Sequence, residues 1–125
     1  MKALLVFLLT VACIAAEPAE PDGARLFVNY CAACHGAVGE GDGPVAASLA
    51  VGVPNLRTLA LRNGGEFPES SVSAYIDGRE LRAAHGDRQM PIWGDIFAAL
   101  ERGDEDVVAA RINAVVRFIE TLQYR

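Results

Sequence analysis

Cys31-Ala32-Ala33-Cys34-His35 decides how the rest of the chain is read. Two thiols three positions apart, followed at once by an imidazole, form the C-x-x-C-H pattern of covalent c-type haem attachment. The order is set by chemistry. Each thiol adds across one haem vinyl group to give a thioether, and the two-residue spacer matches the separation of the vinyls. His35 is then delivered to one face of the iron, for which His, Cys, Met and Tyr are the usual protein ligands. The expected cofactor is one covalent haem c, bound through Cys31 and Cys34 with His35 as an axial ligand. Zinc competes poorly, because a structural site needs four protein ligands and no second Cys or His pair is present. A redox-active dithiol of the thioredoxin kind needs a βαβ setting, and nothing here supplies one.

The other face of the iron has two candidates. Apart from Met1 the only methionine is Met90, and apart from His35 the only histidine is His85. Pro91 restricts Met90 to extended backbone, which suits a loop residue whose thioether must point at a metal. His85 sits beside Gly86 among Arg82, Asp87 and Arg88, the setting of a solvated loop residue. His35 and Met90 are the expected iron ligands, and a bis-histidine site through His85 is the alternative.

The first sixteen residues read as an export signal, with Lys2 as the charged end, an apolar run from Ala3 to Thr10, and small residues at Ala12, Ala15 and Ala16. The run is too short for a permanent span, which takes about 20 residues. Cleavage after Ala16 leaves a linker over 17–21 and one domain over 22–125. Leu9-Thr10-Val11-Ala12-Cys13 loosely resembles a lipobox, so a lipid on Cys13 tethering the protein to a membrane is a second reading. Export predicts a periplasmic location, where a free Cys pair would form a disulfide unless committed to haem. Of the 125 residues, sixteen are acidic and eleven basic. Losing Lys2, the only lysine, leaves ten arginines and a net charge of −6. That balance argues against nucleic acid or an anionic membrane surface as a partner.

Helical spacing runs through the chain and period-two alternation does not, so the fold class is all-α. Asp22 caps a helix through Gly23, Phe27 and Tyr30 into Cys31. Residues 36–44 form a glycine-rich loop, and a short helix over 45–50 follows. Asn55 caps a helix from Leu56 to about Asn63, ended by Gly64-Gly65. Pro68 and Gly78 bracket another, with Val72, Tyr75 and Ile76 inward. Arg79 to Trp93 is mostly irregular, and Ile96 to Leu100 makes a helical turn or more. Asp104 caps the clearest helix, which runs to about Gln123 with Val108, Ile112, Val115, Ile119 and Leu122 as an unbroken stripe.

With these features the chain resembles a class I cytochrome c, over essentially all of Asp22 to Tyr124. Gly23-x-x-x-Phe27-x-x-x-Cys31 is similar to the family's N-terminal helix, whose glycine and aromatic lie against the C-terminal helix, here at Phe118 and Ile119. Pro54-Asn55-Leu56 resembles its Pro-x-Leu segment, which implies that the Pro54 carbonyl accepts a hydrogen bond from the His35 ring. Met90-Pro91-Ile92-Trp93-Gly94 resembles its distal-methionine motif. Gly41-Asp42-Gly43-Pro44 and Ile76-Asp77-Gly78-Arg79 resemble short bacterial periplasmic members. The lysines that line the haem edge in mitochondrial members are absent, so lysine-based docking does not carry over.

The resemblance implies short helices around one haem, with the terminal helices in contact. It also implies a monomeric one-electron carrier, not an enzyme, with redox proteins as donor and acceptor. Leu49, Leu56, Leu59, Tyr75, Ile76, Ile92, Trp93 and Ile96 are expected in the pocket, and Arg57, Arg79 and Trp93 beside the haem propionates. The rival readings are a haem-based sensor or ligand-binding protein in which Met90 is displaced, and an electron-transfer subunit of a larger dehydrogenase or oxidase complex.

Overall fold

The computed structural model describes residues 19–80 and 89–124. The stretch expected to be an export signal, Cys13 and His85 lie outside the described residues. Asp22 accepts a hydrogen bond from the Arg25 amide at 3.1 Å and starts helix α1, Gly23–Tyr30. One side-chain oxygen thus satisfies a first-turn amide that has no partner inside the helix. Helix α2, Ala32–His35, follows after the single residue Cys31. The expected helix over 45–50 is only a 3-10 turn, Ala46–Ser48. Asn55 takes the Arg57 amide at 2.9 Å and starts a 3-10 turn, Leu56–Thr58, continuous with α3, Leu59–Arg62.

Helix α4, Glu69–Asp77, ends on Gly78 at φ +71°, a left-handed cap that glycine takes without steric penalty. Of the residues expected to face inward, Ile76 is buried and Val72 half-buried, but Tyr75 is 51% exposed. Helix α5, Trp93–Leu100, begins inside the stretch expected to be irregular. Helix α6, Glu105–Thr121, is capped by Asp104 as expected. No strand occurs among the described residues.

Helix α6 is the spine of the domain and packs against α1, α4 and α5. Its apolar stripe meets Leu26 and Phe27 of α1, Ile76 of α4 and Phe97 of α5 in one core. Phe27, Phe97, Val108, Val115 and Val116 are fully buried, each contributing about 1.5–3 kcal/mol by removal from water. The terminal helices meet where Gly23 lies against the Ala114 carbonyl and the rings of Phe27 and Phe118 stand 5.2 Å apart. A second aromatic cluster joins Tyr30 to Trp93 and Phe97, at 5.5 and 5.3 Å. It ties the end of α1, one residue before Cys31, to the start of α5.

Candidate haem site

The Cys31 amide donates to the Phe27 carbonyl at 2.9 Å, so the motif grows directly from the last turn of α1. The Cys31 carbonyl accepts from the Cys34 and His35 amides, at 3.2 and 2.9 Å, winding both thiols and the imidazole onto one turn. Gly36, at φ +82°, ends that turn, and the following loop is laced back onto the motif's own backbone. Gly41 donates to the His35 carbonyl at 2.8 Å, Gly43 to Cys34 at 3.1 Å and Val45 to Ala33 at 3.0 Å. A Cβ on Gly41 would strike the Val53 carbonyl and lie 3.2 Å from that of Pro54. The glycines of this loop thus let the Val53–Pro54 backbone come up beside His35.

His35 is half-buried, and its Nδ1 is buried without a hydrogen bond of ordinary geometry. Burial pushes its pKa below the ordinary value, outweighing the nearby Pro54 carbonyl, which favours the protonated ring. The ring is therefore neutral at pH 7, the form in which imidazole ligates a metal. A buried unpaired N–H costs about 1–3 kcal/mol. With Nδ1–H turned to donate a hydrogen bond to the Pro54 carbonyl this cost would be removed, and Nε2 would keep the lone pair that a haem iron takes.

Cys31 and Cys34 are both free and half-buried. Burial, and then the neighbouring Cys34, push the Cys31 thiol up to about 12. Such a sulfur stays uncharged at neutral pH in the bare polypeptide. A thioether sulfur carries no charge and meets no such penalty. Among the described residues no three His, Cys, Asp or Glu side chains gather closely enough to hold a metal ion. The Cys31, Cys34 and His35 set suits covalent haem.

Met90 is half-buried and packs on the same core as Cys31, Leu56, Leu59 and Trp93. Trp93 is the first residue of α5, two residues beyond Pro91. The two arginines expected beside the propionates, Arg57 and Arg79, each have protein partners. Arg57 donates to Glu40 at 2.9 Å and to the Leu122 carbonyl at 3.2 Å, with its guanidinium over the Tyr124 ring. Arg79 forks onto both oxygens of Asp77, at 2.7 and 2.8 Å, and spans both oxygens of Glu105. Its bonds to Asp77 and then to Glu105 hold it firmly charged. Of the expected pocket residues Leu49, Leu56, Leu59, Ile92 and Trp93 are half-buried and Ile76 buried, while Tyr75 and Ile96 are exposed on the polypeptide.

A family profile described as Cytochrome c matches residues 21–123. The chain belongs to the cytochrome c family. It is accordingly a c-type haem electron-transfer protein, and the family's covalent haem c accounts for Cys31, Cys34 and His35. The all-helical architecture with α1 against α6 is that of the family. No solved structure gives a significant match. Sequence reasoning missed Glu40, Gln123 and Tyr124, which bind the C-terminus to the segment after Pro54. Each is an ordinary polar residue with no motif, and the pairs span 17 residues from Glu40 to Arg57, 67 from Leu56 to Gln123 and 84 from Glu40 to Tyr124, so no local signal marks them.

Proposed function

We propose that this protein is an exported, periplasmic monohaem carrier that passes one electron at a time between redox proteins, with His35 and Met90 as the two axial ligands. Bound haem supplies a one-electron iron couple. Cys31 and Cys34 tether it, and His35, neutral and set on the same turn, binds one face. The observation that carries the reading is this turn, with its buried Nδ1 beside the Pro54 carbonyl. Met90 closes the other face from the loop before α5, where Pro91 keeps it out of helical backbone. With both faces taken, no position is open to a substrate, so the residues favour electron transfer over catalysis. Met/His ligation raises the reduction potential, and the apolar residues on this side of the core keep water out and raise it further.

Carbon monoxide added to the reduced protein tests the reading. A closed six-coordinate site leaves the spectrum unchanged. Rapid formation of a carbonyl complex would instead identify a ligand-binding protein in which Met90 is displaced.

A further inference from the structure

After α6, residues 122–124 turn into a set of polar contacts with residues 56–60. The Gln123 amide donates to the Leu56 carbonyl at 2.8 Å and the Ile119 carbonyl at 2.9 Å, and accepts from the Ala60 amide at 2.9 Å. Two carbonyls and one amide around it fix which end of the side chain is which. The Tyr124 amide donates to the Arg57 carbonyl at 2.9 Å. The Arg57 guanidinium returns to the Leu122 carbonyl, lies 4.2 Å from the centre of the Tyr124 ring, and bonds Glu40, which also accepts from the Tyr124 hydroxyl at 3.1 Å. On the other side, the Leu56 amide donates to Gly39 at 2.7 Å, and Gly41 donates to the His35 carbonyl. Pro54 lies between these two sets of ties, with its carbonyl directed toward the His35 loop.

We propose that Gln123 and Tyr124, acting through Arg57 and Glu40, form a C-terminal clasp that positions the Pro54 carbonyl against His35 Nδ1 and so sets the basicity of the proximal ligand. The inference rests on His35 being an iron ligand. None of the clasp residues is assigned contact with haem; they are positioning residues. A firm Nδ1–H bond makes the imidazole a stronger donor, which favours the oxidised metal. Loosening the clasp weakens that bond and raises the potential. Simple loss of packing acts in the opposite direction, because water admitted to the site lowers the potential.

The test uses the haem-loaded full chain with Gln123→Leu, Tyr124→Phe and the control Arg117→Ala, whose ion pair with Glu20 is exposed on the outer face of α6. Two quantities are read: the exchange rate of the His35 Nδ1 proton in the reduced protein by NMR, and the reduction potential. Gln123→Leu is expected to speed exchange at least tenfold and raise the potential. Tyr124→Phe should shift both in the same direction by less, and Arg117→Ala neither. If Gln123→Leu fails to retain haem, Tyr124→Phe decides by the same two readouts. Variants that lose thermal stability with exchange and potential unchanged, or whose potential falls, would overturn the clasp. A wild-type protein with no haem-shifted His35 signal would remove the ligand reading itself, and the clasp with it.

Discussion

Gly23 is the residue at which the helix pair is most sharply defined. A side chain there would run into the Ala114 carbonyl of α6 and come 3.2 Å from Phe118 Cβ, so α1 sits as close as a bare backbone allows. Gly23→Ala must push the helices apart and should cost about 1–3 kcal/mol, read as a lower denaturant midpoint of the haem-loaded protein. Gly41 is constrained twice, by φ +83° and by the Val53 carbonyl where a Cβ would stand. The Gly23–Phe27–Phe118 contact was legible through the family resemblance, which implied Phe118 as the partner, while helical spacing marked only the Phe27 face of α1. The demand at Gly41 was not, since it depends on a strand of backbone twelve residues away that no local pattern reveals. Arg57 shows the same boundary. It was expected beside a propionate because it adjoins a segment expected to touch haem, while its contacts with Glu40 and the Tyr124 ring carry no local signal.

At the scale of elements, three helices are joined at Arg79, which follows α4, reaches Glu105 at the start of α6, and lies against Gly94 in the first turn of α5. A Cβ on Gly94 would stand 2.5 Å from Arg79 Nε and Asp77 Oδ1, so the glycine after Trp93 makes room for the Asp77–Arg79 pair. The hydrogen bond from Arg79 holds the Asp77 carboxyl below its ordinary value of 3.8. The folded state therefore binds that proton less readily than the unfolded chain. The stabilisation is fully present above the unfolded pKa and is lost as pH falls through the lowered folded value. Asp77→Asn should cost about 1 kcal/mol at pH 7, since the pair is partly exposed, and should flatten the acid limb of a stability–pH profile. The caps were the most readable part of the helices, because Asp22, Asn55 and Asp104 act on amides two or three residues away. The start of α5 was not readable for the complementary reason: Ile92 precedes it and provides no side-chain cap. Its position is set by the Tyr30–Trp93–Phe97 cluster, a tertiary contact.

For the whole molecule, the acidic and lysine-poor composition governs encounter more than fold. The full chain carries −5, becoming −6 without Lys2, and long-range attraction follows the sign of the partner. Electron exchange with a small cationic redox couple should slow as salt is raised, and exchange with an anionic couple should quicken, as stopped-flow rates across a salt series would show. Intact mass of the mature protein reads the N-terminus and the covalent haem together. Cleavage after Ala16 gives a chain starting at Glu17 plus one haem, and a lipidated Cys13 gives a heavier species. The central claim, an iron closed by His35 and Met90, is tested most directly by the far-red Met–Fe(III) charge-transfer band of the oxidised protein, recorded for the wild type and for Met90→Ala. The account predicts the band in the wild type, and its loss in Met90→Ala together with a lower potential and haem still covalently attached. A band absent from the wild type, or a spectrum unchanged by Met90→Ala but altered by His85→Ala, would contradict it.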